Sequence, residues 1–258
     1  MRFSRLLLVL LVLPLLSSRV GAKGHEGPDK IDPDRPGFTD GAGIVPDGAF
    51  QVEGGLVFDR DAATTGSSLG DWNVRLGQGN NWEVRLGLPS YRQESDPFSE
   101  TRGFQDFRAG FKLGLTDPEL KAPHWAVEGQ LTAPTGAVGL GDQVWQPRLG
   151  AIMEDRLSYW WSLTANVHFA RAATAGARFD QWQGGVSLDR KLKPGFRAYV
   201  EIFLLTPGTA GGGDSTLLTG GLYKRLGKSL QLDASYGTDL SATGTNHFVQ
   251  VGVARLWD

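Results

Sequence analysis

Histidines and serines are the residues of this 258-residue chain that could carry hydrolytic chemistry. A serine beside a histidine suits acyl hydrolysis, including that of phospholipids, because the imidazole can take the proton of the attacking hydroxyl. The histidines are few and scattered, and no Ser–His pair is legible in the sequence. Cysteine is absent, which excludes thiolate chemistry and Cys-based metal sites. We predict no catalytic residues and keep a lipid hydrolase as the weakest alternative. The histidines are His25, His124, His168 and His247.

Two glycine-rich stretches resemble ligand-binding loops without meeting their spacing. "GLYKRLGKS" ends like a phosphate-binding loop, but the spacer from Gly221 to Gly227 is one residue too long. "DPDRPGFTDGAG" begins like a calcium loop, yet it has Pro36 at its fifth position and Gly43 where a bidentate glutamate is required. We therefore predict no metal site and no cofactor.

Charged side chains that alternate with apolar ones are the remaining candidates. In residues 107–115 apolar side chains alternate with Arg108, Lys112 and glycines, and the same period recurs along the chain. A period of two with one wholly apolar face is typical of a β-strand. On the polar faces we predict lumen and selectivity residues, which could form a selective constriction or only a charge-paired wall. They are Glu53, Arg75, Arg85, Arg108, Lys112, Glu128, Arg148, Arg197 and Glu201.

Twelve such segments, among them residues 195–206, fit between residues 49 and 258. Tight turns alternate with longer loops between them, such as residues 60–69, 92–103 and 172–178. An even number of strands of this length, with short turns on one side, is the signature of a transmembrane antiparallel β-barrel. Trp residues near strand ends fit the membrane interfaces. A soluble β-sandwich with tryptophans in its core is the alternative, but the polar faces are charged nearly throughout. We predict an all-β barrel over residues 49–258.

The first 22 residues have the pattern of a secretory signal peptide. Arg2 and Arg5 precede an apolar run from Leu6 to Leu16, and small residues end at Ala22. The run is too short for a membrane helix, and the mature chain is expected to begin at Lys23. Removing three arginines leaves 23 basic against 28 acidic residues, without the basic clusters that nucleic-acid binding needs.

The stretch "IDPDRPGFTDGAGIVPDGAFQVEGGL" resembles the opening of a family of predicted outer-membrane transporters, labelled "Putative MetA-pathway of phenol degradation". The resemblance implies a barrel and a transport function without naming the solute. The closing strand, ending at Trp257, also resembles the C-terminal pattern that the barrel assembly machinery reads. We therefore expect outer-membrane lipid, that machinery and a small solute as partners. The matching positions are Asp34, Arg35, Pro36, Thr39, Val45, Pro46, Gly48, Gln51 and Glu53.

Residues 23–48 then form a periplasmic segment before the first strand. The segment is long enough to fold back into the lumen mouth. There we predict that Arg35 pairs with an inward carboxylate, with Glu53 as a leading candidate, and that the segment forms a partial plug. The alternative is a solvated leader needed for export or assembly. For the whole chain we predict passive passage of a small apolar or aromatic solute across the outer membrane. A non-conducting structural or adhesive barrel is the alternative.

Overall fold

The computed structural model describes residues 31–61, 63–79, 81–117, 123–241 and 246–258, so the expected signal peptide and residues 23–30 lie outside the described residues. The described part is all β. Its strands are β1 (Phe50–Arg60), β2 (Thr65–Gln78), β3 (Trp82–Gly87), β4 (Tyr91–Ser95), β5 (Glu100–Phe104), β6 (Phe107–Gly114), β7 (His124–Ala133), β8 (Gln146–Asp155), β9 (Trp161–Thr174), β10 (Ala177–Lys193), β11 (Phe196–Thr206), β12 (Ser215–Leu226), β13 (Leu230–Asp239) and β14 (His247–Trp257).

These elements form a closed antiparallel barrel of twelve staves, because two staves are each built from two strands. β3 and β4 pair in turn with the two halves of β2, and β6 and β5 pair with β3 and β4. The first strand pairs with β2 on one side and with β14 on the other. These two pairings of β1 close the barrel, and β5, which pairs with β4 alone, has its other edge unpaired. The predicted fold class, an antiparallel barrel of about twelve strands, is confirmed.

The two faces of the wall have the reverse of a soluble protein's polarity. Inward side chains such as Arg75, Lys112 and Glu201 are buried, whereas large apolar side chains point outward and are exposed. Outward Trp161 and Phe169 on β9 mark the two rims of this apolar belt. Eight residues separate them, or about 26 Å along the strand. Because barrel strands tilt by about 35–45°, that length rises about 18–21 Å along the membrane normal, slightly less than the belt of about 25 Å in such barrels.

Aromatic side chains sit at the rims of the belt, as predicted. The outward tryptophans have 36–41% of their surface exposed, which suits a ring in lipid with its N–H near the headgroups. They are Trp72, Trp82, Trp125, Trp161, Trp182 and Trp257. Among the described residues, no helix has the length and apolar character needed to cross a bilayer.

Several stretches that we expected to be loops are strands. Residues 92–103 form most of the β4–β5 hairpin, β2 begins at Thr65, and β9 and β10 are joined by the two-residue turn Ala175–Gly176. Both turn residues have positive φ, which matches the twist of a two-residue hairpin. Polar sequence misled us here, because a ribbon that projects beyond the membrane needs no apolar face.

Residues 31–48, hereafter the N-terminal segment, run inside the barrel near the end that carries the short turns. Ile31 and Val45 are buried against Ala254 and Leu256 of β14. On the opposite wall, Ala42 packs against Ala126 and Ile152. Full burial of a Val or Ile side chain contributes about 1.5–3 kcal/mol, so this packing holds the segment in place.

Candidate functional site

Asp34 is the electrostatic centre of the N-terminal segment. Its carboxylate lies 2.6 Å from Arg85 Nη2, 3.0 Å from Lys112 Nζ and 3.4 Å from Arg75 Nη1. Burial alone would raise the pKa of Asp34, but the three cations outweigh it and hold that pKa below its ordinary value. The segment carries this carboxylate into the membrane-spanning barrel as a permanent negative charge. Three of the predicted lumen cations thus converge on one residue of the opening motif.

Arg75 joins the segment to the wall. Its guanidinium binds Glu83 at 2.7 Å and Glu53 at 3.2 Å, and both partners are buried wall carboxylates. The same group donates to the carbonyl oxygens of Asp32 at 2.7 Å and Gly43 at 2.9 Å. Asp32 lies near the start of the segment and Gly43 near its end, so one guanidinium holds the two parts of the segment together.

Four wall glutamates bind the backbone of the segment rather than its side chains. Backbone N–H groups donate to glutamates over distances of 2.8–3.3 Å, which are charge-assisted hydrogen bonds. Each bond satisfies a buried N–H that has no strand partner. The pairs are Asp34 and Arg35 on Glu53, Phe38 and Thr39 on Glu201, Ala42 on Glu154, and Val45 on Glu83.

Arg35 does not form the expected ion pair with Glu53. Its Nη2 lies 3.3 Å from Asp233 Oδ1, while Glu53 is engaged by two backbone N–H groups. The guanidinium lies where Gly55 and Gly252 leave room, because a Cβ at Gly252 would collide with its Nε. The wall was thus correctly expected to carry an acidic partner, but the partner lies 198 residues away in sequence.

Glu128, His168 and Asp40 form a second polar group in the lumen. His168 Nε2 and Arg148 Nη2 each lie 2.8 Å from Glu128 Oε1, and Arg85 Nη1 lies 3.1 Å from Glu128 Oε2. Their ligand atoms lie within 4.8 Å of one another, a spacing that could hold a metal ion. The two guanidinium groups already neutralise the carboxylate, so we interpret the group as an ion-pair network.

Asp40 is the titratable residue at the tip of the segment. Burial, with repulsion from Glu128 and Asp34, raises the pKa of Asp40 to about 7. Arg85 and Arg148 lie 3.8 Å and 3.7 Å from its oxygens, too far to offset that cost fully. The tip therefore changes charge near neutral pH.

Phe38 places an aromatic ring in an otherwise polar lumen. Its ring centroid lies 5.5 Å from that of Phe203 and 5.6 Å from that of Phe248, both inward-facing on the wall. Phe38 keeps 40% of its surface exposed, whereas its two partners are buried. The segment thus presents an apolar surface towards the long-loop end of the barrel.

The remaining predicted residues lie apart from these groups. Arg108 pairs with Asp71 at 2.6 Å near the long-loop end and does not contact the segment. Arg197 lies on the lumen wall, 3.4 Å from Ser162 Oγ. In the opening motif, Pro36 accepts a hydrogen bond from Gln250, and Thr39 is buried beside Gly185.

Sequence reasoning missed the apolar part of the contact between segment and wall. Ala126, Ile152, Ala254 and Leu256 occupy inward positions near the short-turn end, and on β7 and β8 the other inward side chains are mostly polar. Apolar residues confined to one end of a polar phase were the signal that something packs there. Asp233 and Glu154 were placed on the polar phase but not among the selected candidates.

Residues 33–256 match the family described as "Putative MetA-pathway of phenol degradation". Among solved structures, the chain is similar to the COG4313 outer membrane channel from Pseudomonas putida F1, with a TM-score of 0.69, 14% identity, and coverage of 88% of this chain and 100% of that chain. The KdgM porin in complex with disordered oligogalacturonate gives a TM-score of 0.54, with 7% identity over 80% of this chain and 98% of that one. The NanC porin gives 0.52, with 9% identity and the same coverage. No curated protein sequence matches the chain.

Proposed function

The chain belongs to the "Putative MetA-pathway of phenol degradation" family, and on that premise we propose that it is a passive channel of the outer membrane, partly plugged by its own N-terminal segment. The barrel lies in the outer membrane, where short turns face the periplasm and long loops face outward. The end that carries the N-terminal segment is then the periplasmic end. Lipid surrounds the exposed apolar belt, and we expect the barrel assembly machinery to insert it.

The observation that carries this proposal is how the segment is held. Its backbone N–H groups bind Glu53, Glu83, Glu154 and Glu201, and these hydrogen bonds can be exchanged for water without breaking any strand of the wall. A strand of the barrel cannot leave without opening the sheet. A segment bound to charged side chains inside a complete barrel is therefore suited to move while the wall stays intact. The rival interpretation is a leader that serves export or assembly only.

A small apolar or aromatic solute fits the lumen best. Phe38, Phe203 and Phe248 offer aromatic faces at the outer side of the segment, where rings prefer edge or offset contacts with another ring. The polar groups around them would let a solute with one hydroxyl keep a hydrogen bond. Displacing the segment would then carry its aromatic contact away and open the path to the periplasm.

Two other functions are weighed against the channel. A non-conducting structural or adhesive barrel would use the same segment as a permanent seal. A lipid hydrolase would need a serine and a histidine facing lipid. His168 instead lies inside the barrel beside Glu128, and Nδ1 of His247 is 2.6 Å from the Tyr236 hydroxyl. We therefore assign no catalytic role.

Planar-bilayer recording of the full mature chain and of a deletion of residues 23–43 tests the proposal. We expect small conductance from the full chain and larger conductance from the deletion, because the segment no longer occupies the lumen. A deletion that assembles normally and conducts like the full chain would defeat the plug. Absence of any conductance or solute flux in both would favour the structural barrel. Liposome uptake over matched aromatic and aliphatic alcohols tests the solute class.

A further inference from the structure

A polar cavity lies between the N-terminal segment and one side of the wall. It extends from Asp32 on the segment to the inward side chains of β8 to β13, and about 70 Å³ of it is open to the centres of water molecules. Roughly 10–15 Å³ of such space holds one water, so the cavity accommodates about five waters. An aromatic ring needs more room than a file of waters. The proposed solute therefore requires the segment to move.

Short side chains create this space. Ser162 and Thr164 on β9 lie directly across the register from Asp189 and Ser187 on β10. These residues face the segment with one to three heavy atoms beyond Cβ, while other parts of the wall reach it with arginine, lysine and glutamate. The segment is therefore packed closely against one side of the wall and leaves a cavity on the other.

The charges around the cavity favour cations. Asp34 lines the cavity but is already neutralised by Arg75, Arg85 and Lys112. The other lining charges are four carboxylates against three guanidinium groups: Asp32, Glu154, Asp189 and Glu201 against Arg35, Arg197 and Arg225. A narrow aqueous path with an excess of fixed negative charge attracts cations and repels anions. At the periplasmic end Asp32 is paired with Arg225 at 3.1 Å and is 42% exposed, so the cavity opens there to solvent.

Glu201 lines the other end of the cavity, beside the segment. Its carboxylate accepts from the backbone N–H groups of Phe38 and Thr39 at 2.9 Å and 2.8 Å and from Thr219 Oγ1 at 3.1 Å. We propose that this cavity is a route by which small monovalent cations cross while the segment stays docked, with Glu201 at its narrowest point. This route rests on the proposed channel function. Small cations pass the docked segment, whereas the solute passes only after the segment is displaced.

Silver ions test the route, because Ag⁺ is a thiol-reactive cation close in size to K⁺ and the native chain has no cysteine. Ser187→Cys places a thiol on the cavity. Ser235→Cys is the matched control, since Ser235 is also an inward serine with 6% exposure but lies outside the cavity lining. In potassium nitrate, Ag⁺ added on the periplasmic side should cause a lasting loss of current through Ser187→Cys. It should leave Ser235→Cys and the unsubstituted chain unchanged.

A second measurement uses the charge of the route. Asp189→Asn should shift the reversal potential measured in a potassium nitrate gradient towards lower cation selectivity. Heat-dependent gel mobility checks that each variant is a folded barrel. Current that persists through Ser187→Cys under Ag⁺, with no shift for Asp189→Asn, overturns the route and leaves the channel standing. Equal loss in the Ser235→Cys control also overturns it. A full chain that conducts in no form overturns the channel and the route together.

Discussion

Arg75→Gln is the substitution that we expect to release the N-terminal segment. Arg75 donates to the carbonyl oxygens of Asp32 at 2.7 Å and Gly43 at 2.9 Å. A hydrogen bond from a charged donor contributes about 1.5–3 kcal/mol, so losing both weakens docking by roughly 3–6 kcal/mol. At about 1.4 kcal/mol per factor of ten, the undocked population rises roughly 10²- to 10⁴-fold. The substitution also leaves Glu53 and Glu83 without their shared cation, which adds to the loss.

Hydrogen–deuterium exchange in lipid nanodiscs measures this release directly. Peptides covering residues 31–48 should exchange faster in Arg75→Gln, while peptides of β9 to β11 stay protected, and bilayer conductance should rise. Arg108→Gln is the control, because Arg108 is also a lumen arginine but pairs with Asp71 away from the segment. Unchanged protection of residues 31–48 in Arg75→Gln, in a barrel that remains folded, would refute the clamp.

Five further substitutions probe the wall and the segment. Ile202→Arg puts a cation on the lipid face, where Ile202 is 50% exposed, and should lower the free energy of unfolding measured in vesicles by about 2–4 kcal/mol. Leu113→Arg, near the periplasmic rim, should lower it by only about 0–1 kcal/mol. Lys112→Leu removes a 2.7 Å bond to a segment carbonyl and should raise conductance with little change in folding. In the unsubstituted chain, hydrogen–deuterium exchange of residues 31–48 should show that docking weakens as the pH rises from about 4 to 7, and Asp40→Asn should abolish this pH dependence. Gly37→Ala should raise conductance, since its Cβ would lie 2.5 Å from a Glu201 oxygen.

The sign of the Asp40 effect follows from its raised pKa. The docked state favours the neutral carboxyl, so docking is strongest below the ordinary value of 3.8 and is lost as pH rises towards 7. Exchange that slows with rising pH would contradict it.

For Gly37→Ala the control is Gly213→Ala, because a Cβ at Gly213 meets nothing within 4 Å. Equal unfolding costs at Ile202 and Leu113 would contradict the assigned membrane depth.

The depth of Ile202 comes from register. Ile202 pairs with Val186, and Trp182 lies four residues along β10 towards one rim while Arg190 lies four residues towards the other. Arg190 pairs with Trp161, which marks the opposite rim. Ile202 therefore lies midway between two aromatic levels. Leu113 instead pairs with Trp82 at the start of β3, close to the periplasmic rim.

Strand location was predictable wherever both faces of the wall were under strong constraint. The predicted strand at residues 195–206 differs from β11 by one residue, because lipid demands apolar side chains on one face and the lumen demands polar ones on the other. That constraint ends outside the membrane. The β4–β5 hairpin was therefore assigned to a loop, and two staves were not recognised as broken near Pro89 and Asp106.

The site was predictable as a set of residues but not as a set of pairs. Inward phase selected Arg75, Arg85 and Lys112 correctly as lumen residues, yet their shared partner Asp34 belongs to a segment without strand periodicity. Pairing of Arg35 with Asp233 depends on closure of the barrel, which brings residues far apart in sequence together. Alternation determines which face a side chain occupies and contains no information on which neighbour lies across the lumen.

The binding of the N-terminal segment by the last strands sets an order on biogenesis. Arg35 needs Asp233 of β13, and Pro36 needs Gln250 of β14, the strand that also seals the wall against β1. The earliest described residues thus acquire their full set of bonds only after the last dozen have been made and inserted. Sealing of the wall and docking of the segment are thereby coupled, so an unfinished chain lacks both the closed cylinder and its occupant.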